Sequence, residues 1–291
     1  MYRMDWKKLE LGGGQVQALE PEHIRLRLPA VQSGYADAQI DDTQKLGRAD
    51  FKWNPPLHLS VQARSSAELP LGTLGFGFWN DPFTLSLGQG GAARRLPAPP
   101  QAIWYFYGSD PNDIQLTASS AGSGWKAMVL RSPRLPSLLT LPLGAVGVGL
   151  AQLRLTRRLV WRAAQRVMRA SDQLLELEMS DWHTYEIYWG INSARFLVDG
   201  VEVLSSLFTP SGPLGFVAWI DNQYAVASPR GGFRFGFLPT KQAQWLELRT
   251  LKIQSDWDED LRSAGRRLDT PLWPKYNRCA RRGSSVGRAL D

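Results

Sequence analysis

Glu176 and Glu178, in Leu175-Glu176-Leu177-Glu178-Met179, are the acids in this chain whose spacing best suits joint chemistry. On an extended strand alternate side chains leave by one face, so two such carboxyls could flank a glycosidic bond as acid/base and nucleophile. The plainer reading of the same spacing is a polar strand face opposite buried Leu175, Leu177 and Met179. Asp110 and Asp113 stand in Gly108-Ser109-Asp110-Pro111-Asn112-Asp113, a turn-like run where Asp and Asn serve the backbone. A second group of residues suits binding. Trp79 and Asn80 close a glycine-rich run, Trp219, Asp221, Asn222 and Tyr224 cluster together, and Trp104, Tyr105 and Tyr107 share one short segment. An aromatic ring beside Asp or Asn can cover the apolar face of a sugar while the polar group takes its hydroxyls. The same residues also make ordinary strand ends and aromatic packing. A third group is cationic: Arg154, Arg158, Arg162 and Arg166 recur every four residues in a stretch without acids, as a contact for lipid headgroups, an acidic partner or a nucleic-acid backbone would. The three histidines lack metal-ligand spacing, and neither a Gly-x-Ser-x-Gly elbow nor a phosphate-cradling glycine loop is present, so no metal and no cofactor is expected.

These residues need a scaffold, and the chain is long and apolar enough to build one. At 291 residues, 43% of them hydrophobic, it can bury a sizeable core without disulfides or metals. Its 27 glycines and 19 prolines suit many strands joined by tight turns. Period-two alternation marks strands at His23 to Leu28, Leu57 to Arg64, Thr73 to Trp79, Ala102 to Tyr107, Ile114 to Ala118, Trp125 to Leu130, Leu174 to Met179 and Thr184 to Trp189. It marks more at Ala194 to Val198, Val201 to Leu204, Leu214 to Ile220, Gly232 to Phe237 and Trp245 to Ile253. Asp199-Gly200 between two of them predicts a type I′ hairpin. So many short strands in one stretch suit a single all-β sandwich. Residues 150–171 break the pattern and read as one inserted amphipathic helix, with Leu153, Val160, Ala164 and Val167 on the face expected to pack and the arginines opposite. The uncharged segment before it, Leu135 to Leu153, carries Pro136, Pro142, Gly144, Gly147 and Gly149, so no spanning helix is expected there.

The formal charge of +7 is local. Six arginines lie between Ala151 and Ser171, Lys275 to Asp291 adds five cations against one anion, and the rest of the chain is slightly acidic. Specific nucleic-acid binding is therefore not expected. The run Gly283-Ser284-Ser285-Val286-Gly287-Arg288-Ala289 resembles the translation of a transfer-RNA gene's D-arm, so residues 257–291, with the single Cys279, read as a disordered tail and a candidate read-through. The start has no secretory pattern, which together with one cysteine points to the cytoplasm. The expected organisation is an N-terminal extension over 1–20, a β-sandwich over 21–256 and the tail.

Trp182-His183-Thr184-Tyr185-Glu186-Ile187-Tyr188-Trp189, followed by Arg195-Phe196-Leu197-Val198-Asp199-Gly200-Val201-Glu202-Val203, resembles the W-H-x-Y-x-I-x-W and F-x-V-D-G-x-x-V runs of family 16 glycoside hydrolases and related concanavalin A-like lectin and glucanase domains. Gly72 to Trp79 and Trp245 to Gln254 are similar to an inner and a closing strand of those domains. The resemblance implies a jelly-roll sandwich of two antiparallel sheets with a concave, glycan-binding face. Family 16 enzymes carry their acids as Glu-x-Asp-x-(x)-Glu on one strand, and the matching strand here, Gln101-Ala102-Ile103-Trp104-Tyr105-Phe106-Tyr107, has none. The expected function is therefore a non-catalytic module that binds a carbohydrate or another flat-faced ligand. The alternatives are a divergent glycoside hydrolase using Glu176 and Glu178, and a membrane-surface or structural interaction protein using the arginine-rich helix.

Overall fold

Alternation sends one face of each strand into a shared interior and leaves the other outside. In the computed structural model, which describes residues 6–66, 70–82, 95–115, 122–153, 155–228 and 232–255, this produces two antiparallel seven-stranded sheets packed as a jelly-roll sandwich, with a small three-stranded sheet beside them. The chain first forms β1 (Lys7–Leu11), β2 (Gln15–Glu20), β3 (His23–Leu28), β4 (Asp37–Asp41), β5 (Leu57–Ser65), β6 (Thr73–Trp79), β7 (Ala102–Gly108), β8 (Asp113–Ile114) and β9 (Gly124–Arg131). Two helices follow, α1 (Ser137–Gln152) and α2 (Arg157–Val167). The remaining strands are β10 (Arg169–Leu174), β11 (His183–Trp189), β12 (Ala194–Val198), β13 (Val201–Ser206), β14 (Gly215–Asp221), β15 (Gln223–Ser228), β16 (Gly232–Phe237) and β17 (Gln244–Ser255). The first sheet has the order β1-β4-β14-β6-β7-β9-β10, the second β13-β12-β11-β5-β17-β3-β2, and the third β16-β15-β8.

The core lies between the inner faces of the two large sheets. In β5, Leu57, Leu59, Val61 and Ala63 are buried while His58, Ser60, Gln62 and Arg64 between them are partly open. Phe76, Phe78, Tyr105 and Trp125 of the first sheet meet Tyr185, Trp189 and Phe196 of the second, in ring contacts of 4.9–5.7 Å. Tyr105 also ties the sheets together, because its hydroxyl donates to the Leu197 carbonyl at 2.8 Å. The Asp199-Gly200 turn has φ of +51° and +76°, the left-handed values that a type I′ hairpin requires. His183 is held by Asp199 at 2.7 Å and the Glu178 carbonyl at 3.1 Å, as a structural histidine is.

Several expectations need correction. The segment expected as an N-terminal extension supplies β1 and β2, edge strands of the first and second sheets. The single helix expected over 150–171 is two: α1 occupies the uncharged segment, α2 is shorter, and Arg169 already belongs to β10. α1 runs through Pro142, Gly144, Gly147 and Gly149 and is sixteen residues long. The face of α2 expected to pack is not buried; Val160 and Ala164 are half-buried, while Leu153 and Val167 are more than half exposed. The strand expected at Leu174 to Met179 ends at Leu174. Beyond it the chain bends at Leu177 and turns at Met179 and Ser180, with Leu175 and Leu177 half-buried and Met179 buried, so Glu176 and Glu178 are exposed residues of a connection. The strand expected at Ile114 to Ala118 is only Asp113–Ile114, and residues 116–118 lie outside the described ones, as do Arg154 and the whole tail with Cys279. Among the described residues no helix is long and apolar enough to cross a membrane.

Candidate functional site

β6 and β7 lie next to each other in the first sheet, and their outward faces are complementary in size. β6 turns Phe76 and Phe78 inward and Gly75 and Gly77 outward, while β7 turns Tyr105 and Tyr107 inward and Trp104 and Phe106 outward. Large rings can therefore lie over β6 where it has no side chains. A Cβ on Gly75 would come within 2.7 Å of the Trp219 ring, and one on Gly77, whose φ is +147°, within 2.6 Å of the Trp104 Cα. Trp104 is the hub of the resulting platform: its ring centroid is 5.7 Å from Trp79, 5.7 Å from Phe106 and 5.3 Å from Trp219. Val217 and Met128 fill in beside it. Phe106 and Trp219 are buried, whereas Trp79 and Trp104 are half-buried. The Trp219 indole donates to Thr73 Oγ1 at 2.9 Å, but the indole N–H groups of Trp79 and Trp104 have no hydrogen-bond partner. Gly75→Ala is expected to cost about 1–3 kcal/mol and to loosen Trp219, because the added methyl overpacks both the ring and the neighbouring strand. Urea denaturation read by tryptophan emission checks both effects.

Charged groups bound the platform on either side. On β9 and β10, Lys126 and Asp172 face each other at 3.8 Å; Lys126 is 1% exposed, and burial pulls its pKa down against the opposing charge of Asp172. On β14 and β4, Asp221 stands directly across from Asp37, and both are buried. Asp221 Oδ1 accepts from the Thr73 hydroxyl at 2.7 Å and from the Gln223 amide at 3.1 Å, and Tyr35 reaches Oδ2 at 3.4 Å. Asp37 Oδ1 accepts from nothing. Burial raises Asp221 to about 6 against the pull of those hydrogen bonds, and burial together with the Asp221 and Asp41 charges raises Asp37 well above the usual carboxylate range. Asp172 and Asp221 are four strand steps apart, roughly 19 Å.

The residues singled out from the sequence divide into three sets. Trp79, Trp104 and Trp219 come together on the outer face. Tyr105 and Tyr107 do not join them, since alternation turns both into the core. The polar residues are engaged by the fold itself. The Asn80 amide donates to the Pro99 carbonyl at 2.8 Å and accepts from the Gln101 amide at 2.9 Å. Asn222 accepts from Ala36 and donates to Gly34 and Leu238. Tyr224 lies on β15 with its ring against Gly236. Arg158, Arg162 and Arg166 are exposed on α2. Sequence reasoning missed Phe106, Lys126, Asp172 and Asp37. The signal for the platform was present in Gly-Phe-Gly-Phe-Trp at 75–79, where small and large residues alternate by face.

The chain matches no family model and no curated protein. Among solved structures it is similar to a legume lectin-like domain from Entamoeba histolytica at 9% identity and TM-score 0.43, over 87% of this chain and 90% of that one. It is similar to the Bacillus licheniformis β-glucanase at 12% identity and TM-score 0.43, over 87% and 92% of the two chains. A sialidase also matches, at 11% identity and TM-score 0.40, over 86% of this chain but only 17% of its own. Identities this low carry neither a ligand nor a reaction across.

Proposed function

We propose that the protein is a non-catalytic carbohydrate-binding module whose platform of Trp79, Trp104, Phe106 and Trp219 receives the apolar face of a sugar ring. The observation that carries this reading is the cluster of four rings gathered on the outward face of one sheet, with the Trp79 and Trp104 side chains still partly open to solvent. An indole face that is open on a flat aromatic surface can cover the apolar face of a sugar ring. Against hydrolysis stands the placing of the acids. Asp37, Asp41 and Asp221 are 2%, 1% and 6% exposed, with Asp41 and Asp221 already hydrogen-bonded, and Asp172, on the opposite side of the platform, lies too far from them for the about 5–9.5 Å separation that glycosidases use. Titrating β-glucan and galactan oligosaccharides while following tryptophan emission tests the proposal. Binding is expected without release of reducing ends, and Trp104→Ala is expected to weaken it by about five- to tenfold, since stacking on one ring contributes about 1–1.5 kcal/mol. Release of reducing ends that Asp37→Asn or Asp221→Asn abolishes would instead favour a divergent hydrolase.

A further inference from the structure

α1 has no charged residue in sixteen, and it lies on the outside of the sandwich. A helix apolar all round belongs inside a core or inside lipid, and this one has neither within the described chain. Leu139, Leu143 and Val146 are 53%, 60% and 61% exposed, and the apolar surface continues through Leu155 and Leu159 at the start of α2. β16 extends it. Gln152 at the end of α1 donates to the Phe233 carbonyl at 2.7 Å, and Phe233, Phe235 and Phe237, alternate residues of one strand face, are all exposed. Charge then selects what could cover such a surface. Arg158, Arg162 and Arg166 run down one side of α2, exposed and without an ion-pair partner among the described residues. Beyond its end Arg131, Arg134 and Arg169 line a cavity of about 620 Å³ with Ser132, whose hydroxyl is buried and has no hydrogen-bond partner.

We propose that α1, α2 and β16 form a docking face for an anionic lipid bilayer. At 1.5 Å per residue α1 is about 24 Å long, shorter than the roughly 30 Å hydrocarbon layer, so it lies in the interface rather than across it. Leu139, Leu143 and Val146 enter the acyl boundary while the arginines of α2 meet headgroup phosphates, the arrangement of an interfacial helix with apolar and basic sides. This face involves none of the platform residues, so it stands or falls independently of sugar binding.

The test is flotation of the full chain with vesicles of phosphatidylcholine alone and with about 30% phosphatidylserine. Binding to the anionic vesicles is expected to exceed binding to the neutral ones at least tenfold and to fall steeply at about 0.5 M NaCl. Arg158→Glu with Arg162→Glu should reduce it at least tenfold, and Leu139→Ser with Leu143→Ser should do so without removing the salt dependence. Because all four positions are exposed, each variant should keep the parent's circular dichroism and thermal midpoint, which separates lost docking from lost folding. No binding to anionic vesicles, equal binding to both vesicle types, or undiminished binding by the charge-reversed variant overturns the proposal. A lipid-free dimer that the leucine variant dissolves would also overturn it, since a second copy would then be what covers the face.

Discussion

Glu247→Ala is expected to lower stability by roughly 2–3 kcal/mol at neutral pH, read as a drop in the urea midpoint at unchanged slope. Glu247 lies on β17, directly opposite Arg25 on β3 and Arg64 on β5, so the ladder itself makes a three-residue ion group across neighbouring strands. Its side chain is fully enclosed, with Arg25 at 2.5 Å and Arg64 at 2.9 Å. The arginines are fixed by tryptophans in turn. Arg64 lies over Trp182 at 4.7 Å and Trp245 at 5.3 Å, and Arg249 covers Trp182 at 4.0 Å. Removing one member of a buried pair commonly costs about 3–5 kcal/mol, but these arginines are about a third exposed and keep part of their hydration, which reduces the loss. Burial alone would raise the Glu247 carboxyl, and the hydrogen bonds from Arg25 and Arg64 outweigh it and hold the pKa below its ordinary value. A lowered carboxyl contributes stability above its unfolded pKa and loses it as pH falls, so the parent and Glu247→Gln should converge in acid. A gap that persists at pH 3 would mean that packing, not charge, sets the effect.

That ion group shows why parts of this molecule were legible in the sequence and others were not. Strands with one strictly buried face, such as His23–Leu28 and Ala194–Val198, alternate cleanly, and their bounds follow from alternation alone. β1, β2 and β4 do not. Lys7–Leu11 and Gln15–Glu20 are edge strands with mostly exposed side chains, and Asp37–Asp41 turns acids outward, so polarity hides the inner face in each. Glu247 and Arg25 are 222 residues apart and meet only through register, which no local pattern reveals. The aromatic platform was half legible. Trp79, Trp104 and Trp219 stood out by type, yet Tyr105 and Tyr107 were grouped with Trp104 although adjacent strand residues must face opposite ways. The helical insertion was legible as non-β, and its packing was not. Periodicity gives α2 an apolar side, but it cannot say whether that side meets the sandwich or something outside the chain.

The aspartates beside the platform have the opposite pH dependence. Asp37→Asn is expected to raise stability by about 1–3 kcal/mol at pH 8 and to change little at pH 4. Asp37 is buried beside Asp221, one of its oxygens accepts no hydrogen bond, and burial with two neighbouring carboxylates raises its pKa. A carboxyl whose folded pKa is raised contributes stability below its unfolded value and loses it as pH rises through the folded one. For Asp221 that window runs from its ordinary 3.8 up to about 6, and Asp37 adds a further loss in the same direction. With Glu247 destabilising the fold on the acid side, the midpoint of the parent should peak in mildly acidic solution and decline toward neutrality. An amide at position 37 keeps the shape, carries no charge and can donate toward Asp221, so the decline should flatten in Asp37→Asn. Asp221→Asn should not behave the same way. Asp221 Oδ1 accepts from Thr73 and Gln223 and Oδ2 from Tyr35, so an amide that keeps its oxygen toward Thr73 and Gln223 turns its NH2 toward the Tyr35 hydroxyl and loses that donor, and the stabilisation should be smaller than at position 37. Midpoints measured from pH 4 to 8 for the parent and both variants separate the effects. No stabilisation by Asp37→Asn at pH 8, or a parent profile that rises steadily to pH 8, would show that the pair is ionised and solvated in the folded protein, and with that the bar to hydrolysis set by its enclosure would be gone.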